Sequence, residues 1–93
     1  MADETSHRLY LVEHDLHGLS SPQRATVHRA LDEAVRREIQ QSRQIRYVQR
    51  IYAPAEHRCL CLFEATGPEL VKELNETAKI PFTRIVEALD LTP

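Results

Sequence analysis

From Pro22 to about Ser42 the chain runs without a further glycine or proline, and this stretch constrains what the rest can become. Val27, Leu31, Ala34, Val35 and Ile39 recur along it at helical spacing, which leaves arginine, glutamate and glutamine on the opposite face. Gly18 breaks the pattern that precedes it, Ser21 suits an N-cap, and Pro22 suits the first helical position. A long amphipathic helix in a chain of 93 residues leaves room for one domain, 1–93, and its apolar stripe needs a layer to lie on.

The flanking segments supply that layer as strands. "HRLYLVEH" is a short apolar run that reads as a first strand, Arg8–His14, behind an N-terminal tail, 1–7, expected to be flexible. "IRYVQRIYA" alternates, with Ile45, Tyr47, Gln49 and Ile51 on one side and Arg46, Val48, Arg50 and Tyr52 on the other, which predicts a second strand over 45–53. The turn "PAEH" is short, so "RCLCLFEA", Arg58–Ala65, should be its antiparallel neighbour. "TGPE" opens a second helix, with Thr66 and Glu69 at capping-box spacing and Leu70, Val71 and Leu74 as its apolar face. Pro81 closes this region, and Phe82–Leu89 reads as a fourth strand.

The order β-α-β-β-α-β at this size predicts an α+β, ferredoxin-like fold: an antiparallel sheet with both helices on one face. The other sheet face would be bare in a monomer, and a second copy of the chain is the simplest cover. A homodimer through the sheet face, a dimeric α/β barrel, is therefore expected.

Composition narrows the function. Net charge is −2 with arginine and glutamate interleaved, so there is no basic footprint for nucleic acid. The sheet strands offer too few stacking aromatics for RNA, and Gly18 and Gly67 are too far apart for a phosphate loop. The polar start "MADETSHR" lacks a signal-peptide core, and no apolar run is long enough to span a membrane. The expected setting is cytoplasmic, with Cys59 and Cys61 as reduced thiols.

The densest chemistry is "VEHDLHG", Val12–Gly18, where Glu13, His14, Asp15 and His17 fall within five residues. On a strand His14 points away from Glu13, and His17 before the turn glycine should face solvent. Strands one and three are expected to be adjacent and parallel, so their carboxyl ends meet and Glu13 approaches Glu64. Such a pair beside an inward histidine would suit a divalent ion, or would raise one carboxyl pKa for general-base work. His28 falls in line with Leu31, Val35 and Ile39, so its ring is either a hydrogen-bonded core group or a site group. Cys59 and Cys61 share one strand face. Two cysteines are too few for a four-thiolate zinc site, no activating group is placed beside them by sequence, and packing is the plainer role for both. His57 would be a third member of an edge site there.

The order of these pieces resembles a bacterial family of small ferredoxin-like domains of unknown function, some members of which are described as nickel-binding. "CLFEATGPELV", Cys61–Val71, is similar to the family's strand-to-helix segment, and "IPFTRIVE", Ile80–Glu87, to its Pro-x-x-x-Ile-x-Glu ending. "VHRAL", Val27–Leu31, keeps the family's His-Arg ten residues after a glycine, here His28 and Gly18. In the second strand "YVQRI" has Gln49 where nickel-binding members carry histidine, and "DLTP" lacks their histidine tail. The resemblance implies a non-enzymatic binding protein for a divalent transition metal such as nickel, or zinc. Glu13 and His28 are its first candidate ligands, and Glu64, His14 and Cys61 are additional ones. The alternatives are an enzyme or small-molecule binder of the dimeric α/β-barrel kind, with Glu13 and His28 as acid–base groups, and a structural module without a site.

Overall fold

A computed structural model describes residues 7–93. The tail expected at 1–7 lies outside the described residues except for His7, whose Nε2 lies 2.9 Å from Gln44 Oε1. The elements are β1 (Arg8–Asp15), α1 (Ser21–Gln40), β2 (Ile45–Ala53), β3 (Arg58–Ala65), α2 (Pro68–Thr77) and β4 (Arg84–Ala88). They form an antiparallel sheet of four strands in the order β2-β3-β1-β4. This is the expected ferredoxin-like arrangement. No described helix is long and apolar enough to cross a membrane.

α1 begins one residue earlier than the sequence signals indicate. Ser20, not Ser21, is the N-cap: its hydroxyl accepts from the Gln23 backbone N–H at 3.2 Å, and Gln23 Oε1 accepts from the Ser20 N–H at 2.8 Å. This reciprocal pair satisfies two donors that the helix itself cannot, and a cap of this kind contributes about 1 kcal/mol. Gly18 takes φ +84°, the left-handed region that turns the chain from strand to helix. α2 starts from Gly67 with no side-chain cap, so the Thr66–Glu69 capping box is not formed.

Two strand expectations are also revised. β3 pairs with β1 antiparallel, not parallel. The β1-α1-β2 crossover makes β1 and β2 parallel, and the β2–β3 hairpin then reverses β3 against both. In β2, the register against β3 slips between Tyr47 and Gln49. The extra residue, Val48, resets the pleat. Ile45, Tyr47, Arg50 and Tyr52 therefore face the helices, while Gln49 and Ile51 face away.

The core lies between sheet and helices. Val12, Leu31, Phe63, Val71 and Leu74 are at most 1% exposed there, each contributing roughly 1.5–3 kcal/mol by leaving water. Ile39, the last member of the α1 stripe, overhangs and is 55% exposed. Among the described residues, no helix lies over the far side of the sheet. Leu9, Leu11, Leu60, Leu62, Ile51 and Val86 lie on that open face, half-buried or exposed.

Candidate functional site

β1 alternates, so Tyr10, Val12 and His14 point toward the helices while Leu9, Leu11 and Glu13 point to the open face. That single alternation separates the two halves of the "EHDLH" cluster. Glu13 is bracketed on the open face by Arg58 and by Arg84, whose Nε lies 2.9 Å from its Oε1. Hydrogen bonds from Arg58 and then Arg84 hold its carboxyl below its ordinary value. Glu64 lies on the same face near the other end of the sheet, paired with Arg46 at 2.9 Å. Because Glu13 stands opposite Leu60, Glu64 lies four residues further along β3, roughly 13 Å away at strand rise. The two carboxylates do not meet, and neither reaches His28, which is on the helix side of the sheet. Asp15 and His17 are exposed, Asp15 accepting the His17 backbone N–H at 3.0 Å. His57 sits in the β2–β3 turn, edge-on to His17, and not against the thiols.

The helix side is where nucleophilic and metal-ligating groups collect. Cys59 Sγ lies 3.4 Å from His28 Nε2 and 3.7 Å from Cys61 Sγ. Cys61 Sγ in turn lies 3.7 Å from His14 Nδ1 and 2.8 Å from the Tyr47 hydroxyl. His14 Nε2 reaches Asn75 Oδ1 at 2.8 Å, and Asn75 Nδ2 donates to the Val71 carbonyl at 2.9 Å. This one cluster draws on α1, α2, β1, β2 and β3. His14, Cys59, Cys61 and Asn75 are at most 1% exposed. His28 and Tyr47 are half-buried at its rim.

The network assigns protons. Since the Asn75 amide donates to a carbonyl, its oxygen is the atom facing His14, and His14 Nε2 must carry the hydrogen. His14 Nδ1 is then a bare lone pair aimed at Cys61. Hydrogen bonding with Cys61 first, and then with His28, pulls the Cys59 thiol down against the opposing effect of burial. Its neighbour, Cys61, is pushed up, first by Cys59 and then by burial, because a second negative charge so close is resisted. Tyr47 is also pushed up, by burial and then by Cys61, so it stays a hydroxyl donor.

A sequence profile described as "Nickel responsive protein SCO4226-like" matches residues 10–88 of this chain. The chain belongs to the SCO4226-like family. Its fold is similar to that of SCO4226 from Streptomyces coelicolor A3(2), with a TM-score of 0.68 and 24% identity over 89% of this chain and 95% of that one. No curated protein matches.

Within this SCO4226-like chain, then, three of the five sequence candidates, His14, His28 and Cys61, come together, and Glu13 and Glu64 stand elsewhere. Cys59 and Asn75 complete the cluster. Cys59 could have been found from the C-x-C spacing, which puts both thiols on one face. Asn75 carried no signal, because its role comes from α2 packing over β1. As the side chains stand, no group of three or more His, Cys, Asp or Glu among the described residues is arranged to hold a metal ion. Its donors are instead linked in a hydrogen-bonded row, His28–Cys59–Cys61–His14.

Proposed function

We propose that this protein binds a divalent transition metal in the space between its helices and its sheet, with His14 and His28 as imidazole ligands and Cys59 and Cys61 as thiolate ligands. The observation that carries the reading is the convergence of two imidazoles and two thiols from three elements into one nearly water-free cluster. The chemistry of that set suits a borderline or soft cation, since imidazole and thiolate are its preferred ligands. The family's description makes nickel the first ion to test. Such an ion would neutralise the two adjacent sulfurs, which otherwise resist ionising together.

The chain's own residues prepare the site. Asn75 holds the Nε2 proton of His14, leaving Nδ1 free, as second-shell carbonyls do for ligating histidines. The Tyr47 hydroxyl donates to Cys61 and limits that sulfur's freedom. His28, at the half-exposed rim, is the ligand able to swing and admit an ion, and so to bring the row of donors round a common point. A cytoplasmic setting keeps both thiols reduced. A second copy of the chain covers the open sheet face, a reading supported by its six apolar side chains and by the ion pairs that close its two ends. Glu13 and His28 lie on opposite faces of the sheet, so within one chain they do not form an acid–base pair.

Calorimetric titration of metal-stripped, reduced protein with nickel and other divalent ions tests the proposal. Saturable binding at a fixed stoichiometry is expected, lost in His14→Gln/His28→Gln and unchanged in Glu13→Gln. Absence of saturable binding, or binding that the histidine double variant keeps, overturns it.

A further inference from the structure

We propose that the segment after β4, Leu89–Leu91, is an arm exchanged between two copies of the chain: it lies on the partner's open face, with its leucines in an apolar pocket there and Asp90 against the partner's Arg84. This rests on the reading that a second copy covers that face. Leu89 and Leu91 are 78% and 85% exposed, more than any other large apolar side chain among the described residues. A single exposed leucine is ordinary on a protein surface. Here two stand one residue apart beside an edge strand, with Asp90 between them accepting the Thr92 N–H at 2.9 Å. Their own chain gives this apolar–acidic–apolar triplet nothing to pack on.

The open face offers the complement. A cavity of about 220 Å³ there has Leu11, Leu60 and Val86 as apolar lining and Glu13, Arg58 and Arg84 as polar lining. Arg84 donates its Nε to Glu13, and among the described residues it makes no other ion pair; its side chain is 66% exposed. Glu56 stands 4.0 Å from Arg58 and is not paired with Arg84. The rim therefore holds a cation able to answer a second acid.

Symmetry brings the two together. Arg84 and Ala88 are the two ends of β4, so the arm begins at the end of the strand away from its own chain's pocket, roughly 13 Å off at strand rise. Two open faces stacked about a two-fold axis have two limiting orientations. An axis along the strands stacks like ends, setting the arginine pairs of both copies against two Glu13 carboxylates. An axis across the strands lays the end of one β4 over the start of the other, and each arm then meets the partner's pocket and Arg84.

Sedimentation of the full chain over a concentration series tests the arm. Burial of one leucine is worth about tenfold in an association constant, so Leu89→Ser/Leu91→Ser should raise the dimer dissociation constant about 100-fold. Both positions are exposed in one chain, so melting of the dilute, monomeric protein should not change. Asp90→Arg alone and Arg84→Asp alone should each weaken pairing about tenfold, since like charges then face each other across the copies. An equimolar mixture of these two variants should restore it, because each contact in the mixed dimer again joins opposite charges. Any effect of Arg84→Asp on Glu13 within its own chain would persist in the mixture. An unchanged dissociation constant in the leucine variant, a lowered melting temperature of its monomer, or no restoration on mixing overturns the arm and leaves the second copy in place. A parent that stays monomeric at every concentration overturns both.

Discussion

Asn75→Leu isolates the group that sets the orientation of His14. Asn75 is fully buried on α2, and leucine keeps its branched shape at a somewhat larger volume, so the change removes hydrogen bonds without opening a cavity. Two contacts go: the 2.8 Å bond to His14 Nε2 and the 2.9 Å bond to the Val71 carbonyl. The imidazole N–H of His14 is then buried without an acceptor, which costs about 1–3 kcal/mol. The ring has one escape. It can move its proton to Nδ1 and donate to Cys61, which brings the cost toward the lower end but consumes the lone pair offered to a metal. For a domain of this size each kcal/mol moves Tm by about 4–8 °C, so the metal-free variant should melt roughly 5–20 °C below the parent by circular dichroism. In the double variant His14→Phe/Asn75→Leu both polar partners are replaced by apolar groups, and most of the loss should return. Metal affinity in Asn75→Leu alone should fall about 10–100-fold, although all four proposed ligands remain. Unchanged melting, additive losses in the double variant, or unchanged affinity would each refute the proton assignment on which the site rests.

Glu13 supplies a pH test with the opposite expectation for metal. Because Arg58 and Arg84 hold its carboxyl below the ordinary value of 4.5, its contribution to stability is present above that pH and is lost as pH falls through the lower folded value. Glu13→Gln should therefore be less stable than the parent near neutrality and should converge with it in acid, in urea titrations of metal-free protein at a series of pH values. Parallel curves would show that the two arginines do not act on it. On the open face, Leu62→Lys places a charge at the middle of β3, and sedimentation should show the parent as a dimer and the folded variant as a monomer. A parent that sediments as a monomer would dismiss the second copy.

Most of the fold was legible because its signals are local. The unbroken run after Pro22, the two strands joined by "PAEH", and the proline after Gly67 each fix an element by chemistry within a few residues. The antiparallel direction of β3 against β1 also follows from the sequence order, through the combination of a crossover and a hairpin. The Val48 bulge was not present: it arises where the pleat of β2 must serve Tyr47 on the helix side and Ile51 on the open side, a demand set by the neighbouring strand.

The site was half legible for a reason rooted in the sheet itself. Alternation showed that Glu13 and His14 face opposite ways and that Cys59 and Cys61 face the same way, and both hold. What alternation could not tell was which face the helices cover. In a sheet with one wet face, the polar residues give that away. Here Leu9 and Leu11 make the open face of β1 as apolar as Tyr10 and Val12 make its core face, so Leu9–Val12 reads as one continuous apolar run. Nothing in that run tells which of Glu13 and His14, the two residues that follow it, turns toward the helices. In the folded chain the choice falls to partners. Two arginines wait for a carboxylate on one face, while an asparagine and a thiol wait for an imidazole on the other. The apolar open face that hid the site is the same feature on which the proposed second copy rests. A chain that kept these strands but carried charged residues at Leu9 and Leu11 would have shown its site in the sequence and removed the case for a second copy.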